Sequence, residues 1–370
     1  MTPQTSLALM GLDLSGVSST LRKHLPFTAD LVQCVPLAGD ASNRRYYRLH
    51  LSMAPVSSVI LMKLAGPEGF KASEEAVSGS EGGVTELPFT NILKHLQKKG
   101  VQVPALYFYD EPGGLLYLED FGDVTLAQAW QESTPATGED LYCKAVDQLV
   151  QLHLQASHPS TLPCVSFTRS FDVPLYLWEF EHFLEYGIVA RQGRPICADD
   201  YIPLRKEFQK IAEWLAAQPQ VFTHRDYHSR NLMVNGERLG VIDFQDALMG
   251  PVTYDLASLL RDSYIALDEG VIDRLIDRYI EEMRQNLSLS QQSSMLFQDP
   301  EAFRRLFDFT SIQRNLKAAG RFVYIDRVKG NSSFLASIPQ TLKNVRANLD
   351  KYPELHRLLT HLSPYIPEWR

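Results

Sequence analysis

Neither glycine fingerprint for nucleotide phosphates occurs in this chain: it has no G-x-G-x-x-G and no G-x-x-x-x-G-K-[ST]. Dinucleotide binding of the Rossmann kind and P-loop chemistry therefore have no support in the sequence. Cysteine is scarce, and Cys34, Cys143, Cys164 and Cys197 form no C-x-x-C pair, which argues against a zinc site and leaves free thiols as the expectation. No stretch of about 18 apolar residues is present, and Met1 to Ser15 has no cationic n-region, so neither a membrane span nor a leader is expected. Positive charge is also short. With 36 Lys and Arg against 44 Asp and Glu, the formal charge is −8, and a nucleic-acid partner would need a dense cationic face. A soluble, cytoplasmic protein is the expectation.

What is present suits a globular enzyme. In 370 residues, 45% are hydrophobic and 22% charged, enough to bury a large core and to build two lobes. The informative stretch is Thr223-His224-Arg225-Asp226-Tyr227-His228-Ser229-Arg230-Asn231, followed after Gly240 by Val241-Ile242-Asp243-Phe244. Asp226 and Asn231 have the H-R-D-x-x-x-x-N spacing, in which the Asp accepts a proton from the attacking hydroxyl and the Asn oxygen binds a metal ion. Asp243 ends an apolar strand, where a carboxylate chelates Mg²⁺ as in D-F-G, with Gln245 in the Gly position. An Asp or Asn alone in a loop is usually a turn or capping residue. The composite pattern instead implies transfer of a phosphoryl group from ATP, whose spread negative charge calls for Mg²⁺ and an oriented hydroxyl.

The segment from Thr223 through Tyr264 resembles the aminoglycoside phosphotransferase and choline kinase superfamily of small-molecule kinases, which share the protein-kinase-like fold. A narrower resemblance rests on Gly39-Asp40-Ala41-Ser42-Asn43-Arg44-Arg45-Tyr46-Tyr47-Arg48, Gln245-Asp246-Ala247, Gly250 to Asp262 and Gln313 to Phe322. Those segments look like the anomeric kinases of N-acetylmuramate and N-acetylglucosamine that serve cell-wall recycling. The likeness implies an α+β, bilobal protein. Residues 1–120 would form an N-terminal nucleotide-binding lobe with an antiparallel sheet and a helix, and 121–370 a mostly helical catalytic and substrate-binding lobe. The acceptor would be an amino sugar, phosphorylated at C1. Aminoglycoside or choline kinases of the same fold are the nearer alternative, and a non-catalytic nucleotide-binding scaffold the more distant one.

Further residues take roles from their place in this plan. Leu31 to Val35, Tyr46 to Leu51 and Val56 to Leu64 read as consecutive strands, rich in β-branched and aromatic residues and bounded by turn formers. Ser42 in the first turn is expected to face phosphate, although a plain hairpin turn is the simpler reading of that segment alone. Lys63 closes the third strand where V-A-I-K kinases hold the Lys that binds the α- and β-phosphates. Glu86 opens a helix running to about Lys99 and is placed to pair with Lys63, although a first-turn Glu is also favoured by the helix dipole. By resemblance, backbone groups at Leu118, Glu119 and Asp120 form the hinge that holds adenine.

Residues 71–85, rich in Ser, Gly and Glu, read as a mobile surface loop, and 288–298 as a Ser/Gln-rich connector. Leu141, Ala145, Leu149 and Leu152 mark one face of a core helix. Trp178 and Glu179, in a run mixing aromatics with acids, are expected at the substrate together with Gln245 and Asp246, although an aromatic stripe is more often core. Asp255 is expected to brace the catalytic loop. The helix carrying Arg314 and Lys317 would add positive charge near a product phosphate in this plan, although a solvated cationic face is the simpler reading.

Overall fold

The computed structural model describes residues 11–37, 44–65, 86–286 and 295–370. Ser42 and the two segments 71–85 and 288–294 lie outside those residues. By contact the chain divides into two compact units, Met1–Gly69 with Pro104–Gly122 and Phe70–Val103 with Asp123–Arg370.

The first unit is a helix on a twisted sheet. Helix α1 (Leu14–His24) starts at Asp13, whose carboxylate accepts the Ser15 amide. Strands β1 (Asp30–Pro36), β2 (Arg45–Ser52), β3 (Ser58–Lys63), β4 (Leu106–Asp110) and β5 (Leu115–Glu119) form an antiparallel sheet in the order β1-β2-β3-β5-β4. Alternate residues Tyr47, Leu49, Val59, Leu61 and Tyr117 bury against Val17 and Leu21 of α1, as the period-2 pattern of strands requires. Burying an apolar side chain of this size stabilises by about 1.5–3 kcal/mol, so this shared face holds the helix on the sheet.

The second unit is mostly helical. It begins with α2 (Pro88–Lys98), then α3 (Leu126–Glu132), α4 (Pro135–Ala156), α5 (Val173–His182) and α6 (Ala198–Ala216). Phe183–Ala190 continues α5 as a π-helical segment. Short strands β6 (Gln220–Thr223), β7 (Leu232–Asn235), β8 (Arg238–Val241) and β9 (Leu248–Pro251) pair as β6 with β9 and β7 with β8. Helices α7 (Tyr254–Leu260), α8 (Glu269–Asn286), α9 (Met295–Gln298), α10 (Pro300–Lys329), α11 (Ile338–Lys351) and α12 (His356–Leu362) complete it. Residues 295–298, expected in a connector, are thus helical.

Several helix ends are written in the sequence. Thr125 and Gln128 form a capping box on α3, Asp172 caps α5 ahead of Pro174, and Asp299 caps α10 ahead of Pro300. The far end of α10 is closed by Gly330 at φ 70°, the left-handed conformation that glycine adopts without Cβ strain.

Helix α2 belongs with the second unit for specific reasons. Phe89 packs on Phe244 with ring centroids 5.0 Å apart. Buried Asn91 donates to the Pro163 carbonyl and accepts the Val165 amide at 2.9 and 2.8 Å, and His95 bonds the Ala156 carbonyl at 2.8 Å. A buried side-chain amide satisfied on both ends fixes the helix to this unit, because stripping either partner would leave an unpaired polar group in the interior.

Candidate active site

The loop between β6 and β7 carries Asp226 and Asn231, and the end of β8 leads directly to Asp243. Two short pairings converge on it. In the β7–β8 hairpin Leu232 faces Val241, so the residues just outside that pair, Asn231 and Ile242, are adjacent, and the Ile242 amide donates to the Asn231 carbonyl at 3.1 Å. The β6–β9 pair then hands the chain to α7, whose first turn carries Asp255.

Asp255 and Asp262 hold the two ends of the loop. The fully buried Asp255 carboxylate accepts the His224 and Arg225 amides at 2.6 and 3.0 Å. Asp262 accepts the Ser229 amide at 3.0 Å and the Ser229 hydroxyl, and also takes the Tyr264 amide at 3.0 Å. Asp255 sits in the first turn of α7 and Asp262 just beyond its end, so the two carboxylates bracket the helix. His224 ties the loop to the strand after it: Nδ1 accepts the Asp226 amide at 3.3 Å, and Nε2 lies 2.9 Å from the Ile242 carbonyl.

Two non-glycine residues in this small region have left-handed backbones, Arg225 at φ 76° and Asp243 at φ 66°. Each such residue costs on the order of 1–3 kcal/mol and survives only where its surroundings over-determine it. Asp255 does so for Arg225. Gln245, buried and two residues beyond Asp243, donates to the Asp243 Oδ1 at 2.8 Å and steadies its carboxylate.

Asn231 donates its Nδ2 to the Asp226 carbonyl at 2.9 Å, which fixes the amide with its oxygen turned away from that carbonyl. Asp226 itself is 39% exposed, with Lys317 Nζ of α10 3.9 Å from its Oδ1. Burial works to raise its carboxyl pKa. The positive charge of Lys317, followed by His228, Arg225 and Arg314, outweighs that effect and holds the carboxyl well below the ordinary range. Burial pushes His228 below the usual imidazole value, against the opposing pull of Asp262 and Asp226.

The cationic residues of α10 are not a solvated face. Lys317 is 16% exposed and stands between Asp226 and Glu179, 3.9 Å from each. Arg314 is buried and donates to the Ser258 hydroxyl at 3.1 Å. Their i, i+3 spacing is visible in the sequence, but only the fold shows that this side of α10 faces the loop.

Glu179, expected at the substrate, is fully buried instead. Its carboxylate takes the Arg225 guanidinium at 3.1 Å and the Gln313 amide at 2.7 Å, so it supports the loop from behind. Trp178 is half-buried and stacked on His182 at 5.3 Å. Asp246 is half-buried beside Gln245.

In the first unit, Lys63 Nζ donates to the Gly11 carbonyl, whereas in the second Glu86 accepts from Lys94 and, at 3.3 Å, from Asn91. Leu118 is buried in β5 opposite Ile60 and Leu106, and Glu119 accepts the Ala105 amide at 3.1 Å. Asp120 is consumed by structure, accepting from Arg48 at 2.6 Å, Ser58 at 2.7 Å and the Gly122 amide at 2.8 Å.

Residues 33–288 match the phosphotransferase enzyme family. The chain belongs to that family. This phosphotransferase is 32% identical over 322 residues to the N-acetylmuramate/N-acetylglucosamine kinase of Neisseria meningitidis serogroup B, covering 86% of each chain. It is 27% identical over 326 residues to the protein of the same name from Pseudomonas aeruginosa, covering 88% of this chain and 86% of that one. Among solved structures, a choline kinase from Cryptosporidium parvum aligns with a TM-score of 0.58 at 12% identity, over 94% of this chain and 100% of that one. The ADP-bound aminoglycoside phosphotransferase APH(2'')-Ib aligns at 0.56 and 13% identity, over 91% and 99%. At such identities the structural likeness speaks for the fold, which this phosphotransferase shares with both. Among the described residues no helix is long and apolar enough to cross a membrane.

Proposed function

We propose that this phosphotransferase moves the γ-phosphoryl group of ATP to the anomeric C1 hydroxyl of N-acetylmuramate or N-acetylglucosamine. The observation that carries the reading is Asp226: a solvent-accessible carboxylate kept ionised by Lys317 and fixed at both ends of its loop by Asp255 and Asp262. In this reading Asp226 orients the C1 hydroxyl and takes its proton as the sugar oxygen bonds to the γ-phosphorus. The bond from that phosphorus to the bridging oxygen breaks, and ADP leaves with the electron pair. An anomeric hydroxyl is more acidic than an ordinary alcohol, which lightens the demand on a carboxylate with so low a pKa.

Asn231 and Asp243 would hold Mg²⁺. They are hard oxygen donors, and among the described residues no cluster of three His, Cys, Asp or Glu forms a dedicated cage. Two protein ligands with the rest left to phosphate and water is the arrangement Mg²⁺ prefers. When bound, the ion neutralises charge on the phosphate oxygens. Lys63, Ser42 and backbone groups at Leu118, Glu119 and Asp120 supply the nucleotide contacts in this reading.

The charge around Asp226 supports an uncharged or anionic acceptor. Lys317, Arg225 and Arg314 surround it, and Glu179 is already engaged by Arg225 and Gln313. A cationic aminoglycoside or choline would meet like charge there. Asp226→Asn tests the assignment: ADP release with either sugar should fall about 10²- to 10⁴-fold, with ATP affinity retained. Undiminished turnover in that variant would remove Asp226 from the mechanism.

A further inference from the structure

Helix α10 crosses the π-helical continuation of α5 at unusually close range. A Cβ placed on Gly320 would lie 2.8 Å from the Phe183 Cα and 3.2 Å from the His182 carbonyl oxygen, and one on Gly187 would lie 3.5 Å from the Gly320 Cα. Backbone meets backbone there. Side chains flanking the crossing are consequently pressed into one cluster: His182 stacks on Trp178 at 5.3 Å, and its ring lies 4.7 Å from Tyr186 and 5.3 Å from Tyr324. Tyr186 meets Tyr324 edge-on at 5.1 Å. All four rings are half-buried, unlike the fully buried Tyr176 and Phe180 on the other side of α5. An eight-residue π-helical run is rare, and such departures from α-geometry concentrate at functional sites.

The same side of α10 carries Lys317 and, one turn later, Arg321. Lys317 reaches Asp226, while Arg321 lays its guanidinium 4.8 Å from the centre of the Tyr324 ring. Arg225 and Arg314 are engaged by Glu179 and Ser258, but Arg321 has no carboxylate or hydrogen-bond partner among the described residues. A guanidinium over an aromatic ring face, with no carboxylate of its own, keeps N–H donors available for a bidentate carboxylate.

We propose that this surface, from Lys317 through Arg321 to the rings of Trp178, His182, Tyr186 and Tyr324, is the acceptor subsite, and that Arg321 selects acceptors bearing a carboxylate. The inference rests on the reading given under Proposed function and extends it to substrate choice. The two sugars differ by a lactyl ether on C3, two ring positions from C1, which ends in a carboxylate. That offset is comparable with the helical turn of about 5–6 Å separating Lys317 from Arg321. With C1 at Asp226, the sugar rests on the aromatic cluster and its carboxylate meets Arg321. Acceptors lacking the lactyl group bind the same rings without that pair.

The test compares kcat and KM for N-acetylmuramate and N-acetylglucosamine in the wild-type protein, Arg321→Gln and Arg321→Lys. The ratio of kcat/KM for the two sugars should fall about 10- to 100-fold in Arg321→Gln, through KM for N-acetylmuramate, because a charge-assisted pair is lost. Arg321→Lys should recover part of that ratio, since it restores the charge without the fork. An unchanged ratio, with both sugars affected equally or not at all, overturns the role of Arg321 while leaving the proposed function intact. Wild-type protein that phosphorylates neither sugar overturns both.

Discussion

Asp226 combines accessibility with a strongly acidic carboxyl, properties that ordinarily oppose each other unless neighbouring cations intervene. Lys317 is the largest of those cations in effect and the easiest to remove, because its side chain makes no buried pair of its own beyond the two 3.9 Å approaches. Its removal lets the Asp226 carboxyl rise toward the ordinary range. A base must be ionised to act, so the acidic limb of the kcat/KM profile should move to higher pH in Lys317→Met. A limb that stays in place would show that Lys317 does not set the state of Asp226. At this scale the grouping of Asp226, Asn231 and Asp243 was legible, because they lie close in sequence and their spacing is dictated by the loop and hairpin. Lys317 was not, being far along the chain on a helix whose orientation only tertiary packing decides. Glu179 was misread for the same reason: an acid beside a Trp looks like a sugar contact until the burial of Arg225 beneath it is seen.

Among the elements, α7 and the crossing of α5 with α10 carry most of the organisation. Asp255 could be anticipated in part, since it follows Gly250-Pro251 at a helix start, whereas the clamp on Ser229 by Asp262, just beyond α7, depends on the loop returning to that end of the helix. Capping residues made α3, α5 and α10 readable at their ends. The π-helical run was not readable, because Phe183-Leu184-Glu185-Tyr186-Gly187-Ile188-Val189-Ala190 has the pattern of an ordinary apolar helix. Its partner is Gly320, where a side chain would collide with backbone atoms that cannot rotate away. Gly320→Ala should therefore destabilise by about 1–3 kcal/mol, despite the better helix propensity of Ala, and urea denaturation would measure it. The acceptor KM should rise with it, because the crossing positions the aromatic cluster. A denaturation midpoint at or above that of the wild type would mean that the crossing is looser than the backbone distances indicate.

For the molecule as a whole, the sequence pointed to an antiparallel sheet at the N-terminal side and a helical remainder, and that order is observed. The affiliation of α2 was hidden, since a helix following three strands reads as part of their lobe until Asn91 and Phe89 are seen bonded to the second unit. A formal charge of −8 gives no hint of the cations gathered at Asp226, because net charge averages over the surface while function depends on a few side chains. The chemistry claimed here is transfer to one particular oxygen, and the product reports it directly. Incubation with ATP, Mg²⁺ and N-acetylglucosamine or N-acetylmuramate, followed by phosphorus NMR, should show a phosphomonoester coupled to the anomeric proton. A phosphate coupled only to the C6 protons would contradict the account, as would the absence of any sugar phosphate.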